Sequence, residues 1–176
     1  MPEFSLINTN RIYYVTLSLV GGVDVFTNGL YLKIAFDGLE FYQQNKKLEI
    51  YAYVAMSNCI HLIVKSKTEP VNIIFGRFKS YTAKEILHVI EEGVYEKRKD
   101  WMLLVFRYHA KYKTNYDEFH FWDSDNQLIP LETVEVILEK IAFIHNIPVE
   151  AGLVSQASHW VFSSAHNQST LIMDAL

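Results

Sequence analysis

The chain has 176 residues, 50% of them hydrophobic, which is enough to bury one core and too few for a second independent domain of ordinary size. Its formal net charge of -4 excludes a globally basic nucleic-acid binder, so any DNA contact has to use a local patch. A single cysteine, Cys59, excludes an intramolecular disulfide, and no run of about 18 apolar residues offers a membrane span. Residues 1–10 hold no basic segment leading into an apolar run, so a cytoplasmic protein with no membrane partner is expected. Aromatic residues make up 14% of the chain, including 11 Tyr and 11 Phe, which implies a dense core, an exposed stacking surface, or both.

In chain order, Ile12 to Leu19 alternates Tyr13, Val15, Leu17 and Leu19 with Tyr14, Thr16 and Ser18, which predicts a strand with unlike faces. Gly21-Gly22 ends it. After a cap at Thr27 or Asn28, Leu30, Ile34, Gly38 and Phe41 recur at helical spacing. From Leu48 to Met56, strict alternation would place Leu48, Ile50, Ala52, Val54 and Met56 on one face and Tyr51 and Tyr53 on the other. Ser57-Asn58 reads as a tight turn into a strand over Cys59–Lys65, with Ile60, Leu62 and Val64 on one side and Cys59, His61 and Ile63 on the other.

Pro70 can open a second helix with an inward stripe of Phe75, Phe78, Thr82, Ile86 and Val89, running up to Gly93. A helix over Lys97–Tyr108 and a short aromatic strand near Glu118–Trp122 are expected next. A last helix from about Glu132 to Asn146 carries Val134, Ile137, Ile141 and Ile144, and Pro148 is expected to end it. With no repeat, low-complexity tract or linker, the order predicts a single α+β domain over residues 1–176, an antiparallel sheet with helices of ferredoxin-like type.

Four stretches carry a family resemblance: Tyr51-Ala-Tyr-Val-Ala-Met-Ser-Asn-Cys-Ile-His-Leu-Ile-Val64, Phe119-His-Phe-Trp122, Phe143-Ile-His-Asn-Ile-Pro-Val-Glu-Ala-Gly-Leu-Val154 and Trp160-Val-Phe-Ser-Ser164. With Phe78-Lys-Ser-Tyr-Thr82 between the first two, the chain resembles the REP-associated tyrosine transposases, HUH-type enzymes with one nucleophilic tyrosine. The resemblance implies a transposase-like ferredoxin fold, single-stranded or hairpin DNA as partner, and a homodimer. It also implies a tyrosine that attacks the scissile phosphate and a divalent metal, Mg or Mn, that polarises it. Two histidines flanking one strand residue would hold that metal, with an oxygen donor one helical turn beyond the tyrosine.

Carried onto this sequence, those positions are substituted. The first metal-binding histidine falls at Cys59, the second is kept as His61, the tyrosine falls at Phe143, and the oxygen donor falls at Ile147. Phe143 has no hydroxyl and Ile147 no donor atom, while a cysteine ligand turns preference towards softer ions such as zinc. The expectation is a DNA-binding relative that has lost its catalytic and metal site and needs no cofactor.

The remaining readings stay open in pairs. His61 is either a relic of a metal site or hydrogen-bonded structure, and Cys59 is either a ligand or a small buried apolar residue. Phe143 lies in a stripe with Val136, Lys140 and Ile147 that also reads as plain packing. A substitute nucleophile would come from Tyr51, Tyr53 or Tyr81, and the alternative to DNA binding is a protein-interaction module. For DNA contact, Arg77, Tyr81, Lys84 and His88 share a helical stripe, joined by Lys79 from the Phe78–Thr82 segment. Lys97, Arg98 and Lys99 follow, and His109, Lys111 and Lys113 extend the charge; the ordinary reading is a solvated helix face.

Overall fold

The computed structural model describes residues 11–45, 47–94, 96–111, 118–125 and 127–176. Alternation in β1 (Ile12–Ser18) sends Tyr13, Val15 and Leu17 to one face of a sheet and Tyr14 to the other. β1 pairs antiparallel with β3 (Cys59–Ser66), opposing Tyr13 to Val64 and Thr16 to His61. Its other side pairs antiparallel with β4 (Gln127–Leu131), and β2 (Leu48–Ala55) lies outside β3, also antiparallel. The order β2-β3-β1-β4 is the ferredoxin-like arrangement that the sequence predicts.

Two helices cover the first face. Asn28 caps α1 (Gly29–Gln44) by accepting from the Leu30 amide, and Pro70 precedes α2 (Val71–Glu92), where a missing N–H costs nothing. They pack closely at Gly38, where an added Cβ would stand 3.1 Å from the Phe78 ring. Around them Phe36, Tyr53, Phe75, Phe78, Phe121 and Trp122 form an aromatic core with Val15, Leu17, Ile60 and Leu62. A short polar chain is satisfied inside it: Trp122 Nε1 donates to Thr82 Oγ1 at 3.0 Å, and that hydroxyl donates to the Phe78 carbonyl at 2.8 Å. α3 (Lys99–Ala110) follows, adding Met102, Leu103 and Phe106 to this core.

The opposite face carries α4 (Val134–Glu150), which buries Ile137 and Ile144 against Tyr14, Ala52, Val54, Ile63 and Leu131. The chain then turns along β2 and closes that edge of the sheet. Ala55 N donates to the Phe162 carbonyl at 2.8 Å, Ser164 N to the Tyr53 carbonyl at 3.0 Å, and Asp174 N to the Ile50 carbonyl at 2.9 Å.

Four expectations are corrected. A bulge shifts the β2 register between Ile50 and Ala52, so Leu48, Ile50, Tyr53 and Ala55 face α1 and α2 while Ala52 and Val54 face α4. In α1 the buried stripe is Tyr31, Leu32, Ala35, Phe36, Gly38, Leu39 and Tyr42, whereas Leu30 and Phe41 are 50% and 57% exposed. Residues 118–122 form no strand beyond one bridge between Leu19 and Trp122, and β4 instead comes from Gln127–Leu131, an edge strand that tolerates Pro130. Pro148 sits inside α4 rather than ending it, near the last turn, where one lost backbone bond is cheap beside the burial of its ring.

Candidate functional site

The site is assembled from the polar alternates of β1 and β3. With Thr16 opposite His61 and Tyr14 opposite Ile63, the side chains of Tyr14, Thr16, Cys59 and His61 meet on the face that α4 covers. The Tyr14 hydroxyl lies 2.9 Å and the Thr16 hydroxyl 3.2 Å from His61 Nδ1, while Cys59 Sγ lies 3.5 Å from Nε2. The Tyr14 and His61 rings are stacked at 6.0 Å with an interplanar angle of 5°.

Burial holds every member of this group neutral. It pulls the His61 imidazole down to about 4 and pushes the Cys59 thiol up to about 11. Burial likewise raises Tyr14, more than the hydrogen bond with Thr16 lowers it. The neutral imidazole has two complementary arrangements: Nδ1 accepts from a hydroxyl while Nε2–H faces the sulfur, or Nδ1–H donates to a hydroxyl oxygen while Nε2 accepts from the thiol.

α4 brings Phe143 and Ile147, the positions singled out in the sequence, to the same face. Phe143 is 54% exposed, and Ile147 packs against the α4-side cluster. Lys140 lies between: its Nζ sits 4.6 Å from the Phe143 ring centroid and 4.8 Å from that of Tyr14. The phenyl ring is therefore linked to His61 through an ammonium and a phenol. His145, two residues on, turns away, and its Nε2 pairs with Ser164 Oγ at 2.7 Å. Asn146 donates to Glu150 at 2.7 Å.

The three tyrosines that the sequence offers as substitute nucleophiles do not reach His61. Tyr51 donates to Glu49 at 2.9 Å, and burial with that carboxylate pushes its hydroxyl far above the usual range. Tyr53 faces the other core, where its hydroxyl accepts from Ser169 and from the Thr170 amide, both at 3.1 Å. Tyr81 is exposed on α2. The phenol beside the imidazole is Tyr14, and the signal for it was the alternation Tyr14, Thr16, Ser18 opposite Cys59 and His61.

A hard divalent cation does not fit these residues. His61 Nδ1 faces two hydroxyls, the Cys59 thiol is held protonated, and Phe143 and Ile147 carry no donor atom. Among the described residues no three His, Cys, Asp or Glu side chains gather in a way that could hold a metal ion. No chemical step through a metal follows from this geometry.

The candidate DNA-contact residues lie across the sheet from His61, because α2 packs on the opposite face from α4. Arg77, Tyr81, Lys84 and His88 do share an outward stripe, but Arg77 is held by Glu69 at 2.7 Å. Lys79 stands about 200° round the helix from Arg77. It donates to the Asp123 carbonyl, and burial lowers its ammonium to about 8. Arg98 pairs with Glu96 at 3.0 Å and Lys99 donates to the Glu91 carbonyl. Lys113 lies outside the described residues. No helix among the described residues is long and apolar enough to cross a membrane.

An antiparallel sheet with one polar cluster under a covering helix is the class of fold that this geometry defines. No family model and no curated protein matches the chain. Among solved structures, the chain is similar to a REP-associated tyrosine transposase bound to a REP hairpin: 15% identity, 88% of this chain and 76% of that chain covered, TM-score 0.61. It is also similar to a chain assigned as a transposase from Deinococcus radiodurans R1, at 14% identity, with 77% of this chain and 88% of that chain covered and a TM-score of 0.45. The first likeness is one of fold: the chain has the α+β fold of a REP-associated tyrosine transposase.

Proposed function

We propose that the chain is a transposase-like, single-domain DNA-binding protein that holds hairpin or single-stranded DNA without cutting it. The observation that carries this reading is Phe143. A ring with no oxygen stands on α4 beside Lys140 and Tyr14, where the resemblance implies an attacking hydroxyl, and His61 is neutral and engaged. The hairpin bound by the structural neighbour supports DNA as the partner. Binding and cleavage draw on different residues, so one can persist without the other.

Salt-sensitive affinity for a hairpin with a single-stranded tail is the expected result, with no cleavage in Mg2+ or Mn2+. Absence of binding to any such DNA at low ionic strength would remove the reading. In the same assay, a variant with Cys59→His, Phe143→Tyr and Ile147→Asn tests whether the scaffold still supports cleavage. The resemblance also implies a homodimer, which sedimentation would read.

A second reading has one specific observation in its favour, the Tyr14 hydroxyl at 2.9 Å from His61 Nδ1. A phenol beside an imidazole is the pairing that a base-activated nucleophile needs. Against it, Tyr14 is 5% exposed and burial keeps its proton on. A covalent DNA adduct that disappears in Tyr14→Phe would establish this alternative in place of the first.

A further inference from the structure

α2 does more than present an outward stripe. Gly76, Lys79, Ser80, Ala83, Lys84 and Leu87 recur at helical spacing along one flank, and three of them are small, so the helix wall is hollow there. An added Cβ on Gly76 would meet nothing within 4 Å. Facing this wall, residues 118–122 contribute Glu118, Phe119, Phe121 and Trp122, and the two enclose a cleft of about 560 Å3.

The charges in this cleft do not cancel. Its one carboxylate, Glu118, is taken by Arg107, whose Nη2 stands 2.8 Å from Oε1 and whose guanidinium lies over the Phe119 ring at 4.8 Å. Neither Lys79 nor Lys84 forms an ion pair among the described residues. Lys79 has the Asp123 carbonyl as its hydrogen-bond partner, with the carboxylates of Asp123 and Asp125 acting from further off. A partly desolvated ammonium with no carboxylate in direct contact costs free energy, part of which an arriving anion would recover. The rest of the lining is apolar or aromatic, and a bare inorganic anion would leave that surface uncovered.

We infer that the cleft between α2 and residues 118–122 binds one nucleotide, its phosphate on Lys79 and Lys84 and its ring against the wall of Phe119, Leu87 and Ala83. The inference rests on the DNA-binding reading for the kind of anion and adds to it a defined pocket, away from the His61 face. The same chemistry is offered by a free deoxynucleoside monophosphate and by one nucleotide of a DNA strand.

Calorimetric titration of the full chain with the four deoxynucleoside monophosphates, with inorganic phosphate and with a tailed hairpin separates these sources. At least one monophosphate should bind about tenfold or more tightly than phosphate, and Lys79→Met with Lys84→Met should weaken it by about tenfold or more. Gly76→Leu fills the cleft, leaves the charges in place and should abolish binding without lowering Tm. Lys33→Met, at an exposed α1 site paired with Asp37, should change nothing.

Hairpin binding untouched by Lys79→Met/Lys84→Met and by Gly76→Leu, with no monophosphate bound, overturns the cleft and leaves the DNA-binding reading standing. Monophosphate binding that both variants remove, with no hairpin binding, upholds the cleft as a free-nucleotide site and sinks that reading instead. Phosphate bound as tightly as every monophosphate overturns the role given to the aromatic wall.

Discussion

The two faces of the sheet are built from the same strands and have opposite characters. On the side of α1 and α2, the inward residues of β1 and β3 are apolar or aromatic except Ser66 at the end of β3, whose hydroxyl donates to the Glu69 carbonyl, and Trp122 and Thr82 pair within the core. On the side of α4, the same strands offer Tyr14, Thr16, Cys59 and His61, joined to one another and bridged to Phe143 by Lys140. One face is therefore a packing surface whose worth lies in volume and shape. The other is a polar surface whose ionisable groups burial keeps neutral.

The largest expected effect lies on the packed face. Phe78 is almost fully buried, stands edge-on to Phe75 and lies beside Trp122 with ring centroids 6.0 Å apart. Phe78→Ala should cost about 3–5 kcal/mol in urea unfolding, since the α1–α2 contact at Gly38 has nothing to fill the gap. Phe143→Ala, exposed on α4, should cost under about 1 kcal/mol, and a larger loss would break the contrast between the faces.

Acid acts on the other face. His61 titrates at about 4 in the folded chain against an ordinary 6.5, so the unfolded chain takes up the proton first. Stability is then complete above about pH 6.5 and falls as the pH drops towards 4, by about 1 kcal/mol per unit. Burial lowers His145 as well, which adds to the slope in the same direction. Unfolding midpoints at pH 7, 6 and 5 should fall less steeply in His61→Gln than in the unmodified chain; equal slopes would show that His61 is not the buried neutral group described above.

How much of this contrast the sequence displays depends on what each residue's partner is. The unlike faces of β1 and β3 are legible because alternation is a local property, and the position of His61 on the polar side follows from it. The β2 bulge is not legible: Leu48 to Val54 alternates without a break, and only pairing with β3 decides that Tyr51 is the extra residue. β4 is barely legible because five residues containing a proline give a weak signal, whereas the aromatic run Phe119–Trp122 gives a strong one and is used for packing beside α2. Alternation marks Tyr14 as a strand residue but not as the neighbour of His61, since a cross-strand partner has no fixed spacing. The α2 stripe of Arg77, Tyr81, Lys84 and His88 is legible from helical spacing, whereas the meeting of Lys79 with Lys84 in one cleft depends on residues 118–122, which lie far off in sequence.

Tyr53 sharpens the comparison because it crosses the boundary between core and edge. Its ring packs against Phe36 in the aromatic core at 5.4 Å, while its hydroxyl accepts from Ser169 and Thr170 in the segment that closes the β2 edge. Tyr53→Phe keeps the packing and removes the acceptor of the Thr170 amide, while Ser169 keeps the Leu171 carbonyl, so it should cost about 1–2 kcal/mol. The loss should be local: amide exchange should speed at Thr170 before it speeds in β2. Uniform acceleration through the sheet would mean that the closing segment and the core unfold as one unit.

The smallest effect tests what holds the polar cluster to α4. Lys140 is the link between α4 and the Tyr14–His61 pair, and its two ring contacts together are worth about 0.5–1 kcal/mol at a partly exposed site. Lys140→Met keeps the aliphatic stem and removes the charge, so a loss within that range should appear in urea unfolding and should shrink little with added salt, because a ring quadrupole is screened less than a surface ion pair. In a background carrying Phe143→Ala the same substitution should cost about half as much, since one of the two rings is already gone. A cost unchanged by that background would place the binding of Lys140 on Tyr14 alone and separate Phe143 from the cluster.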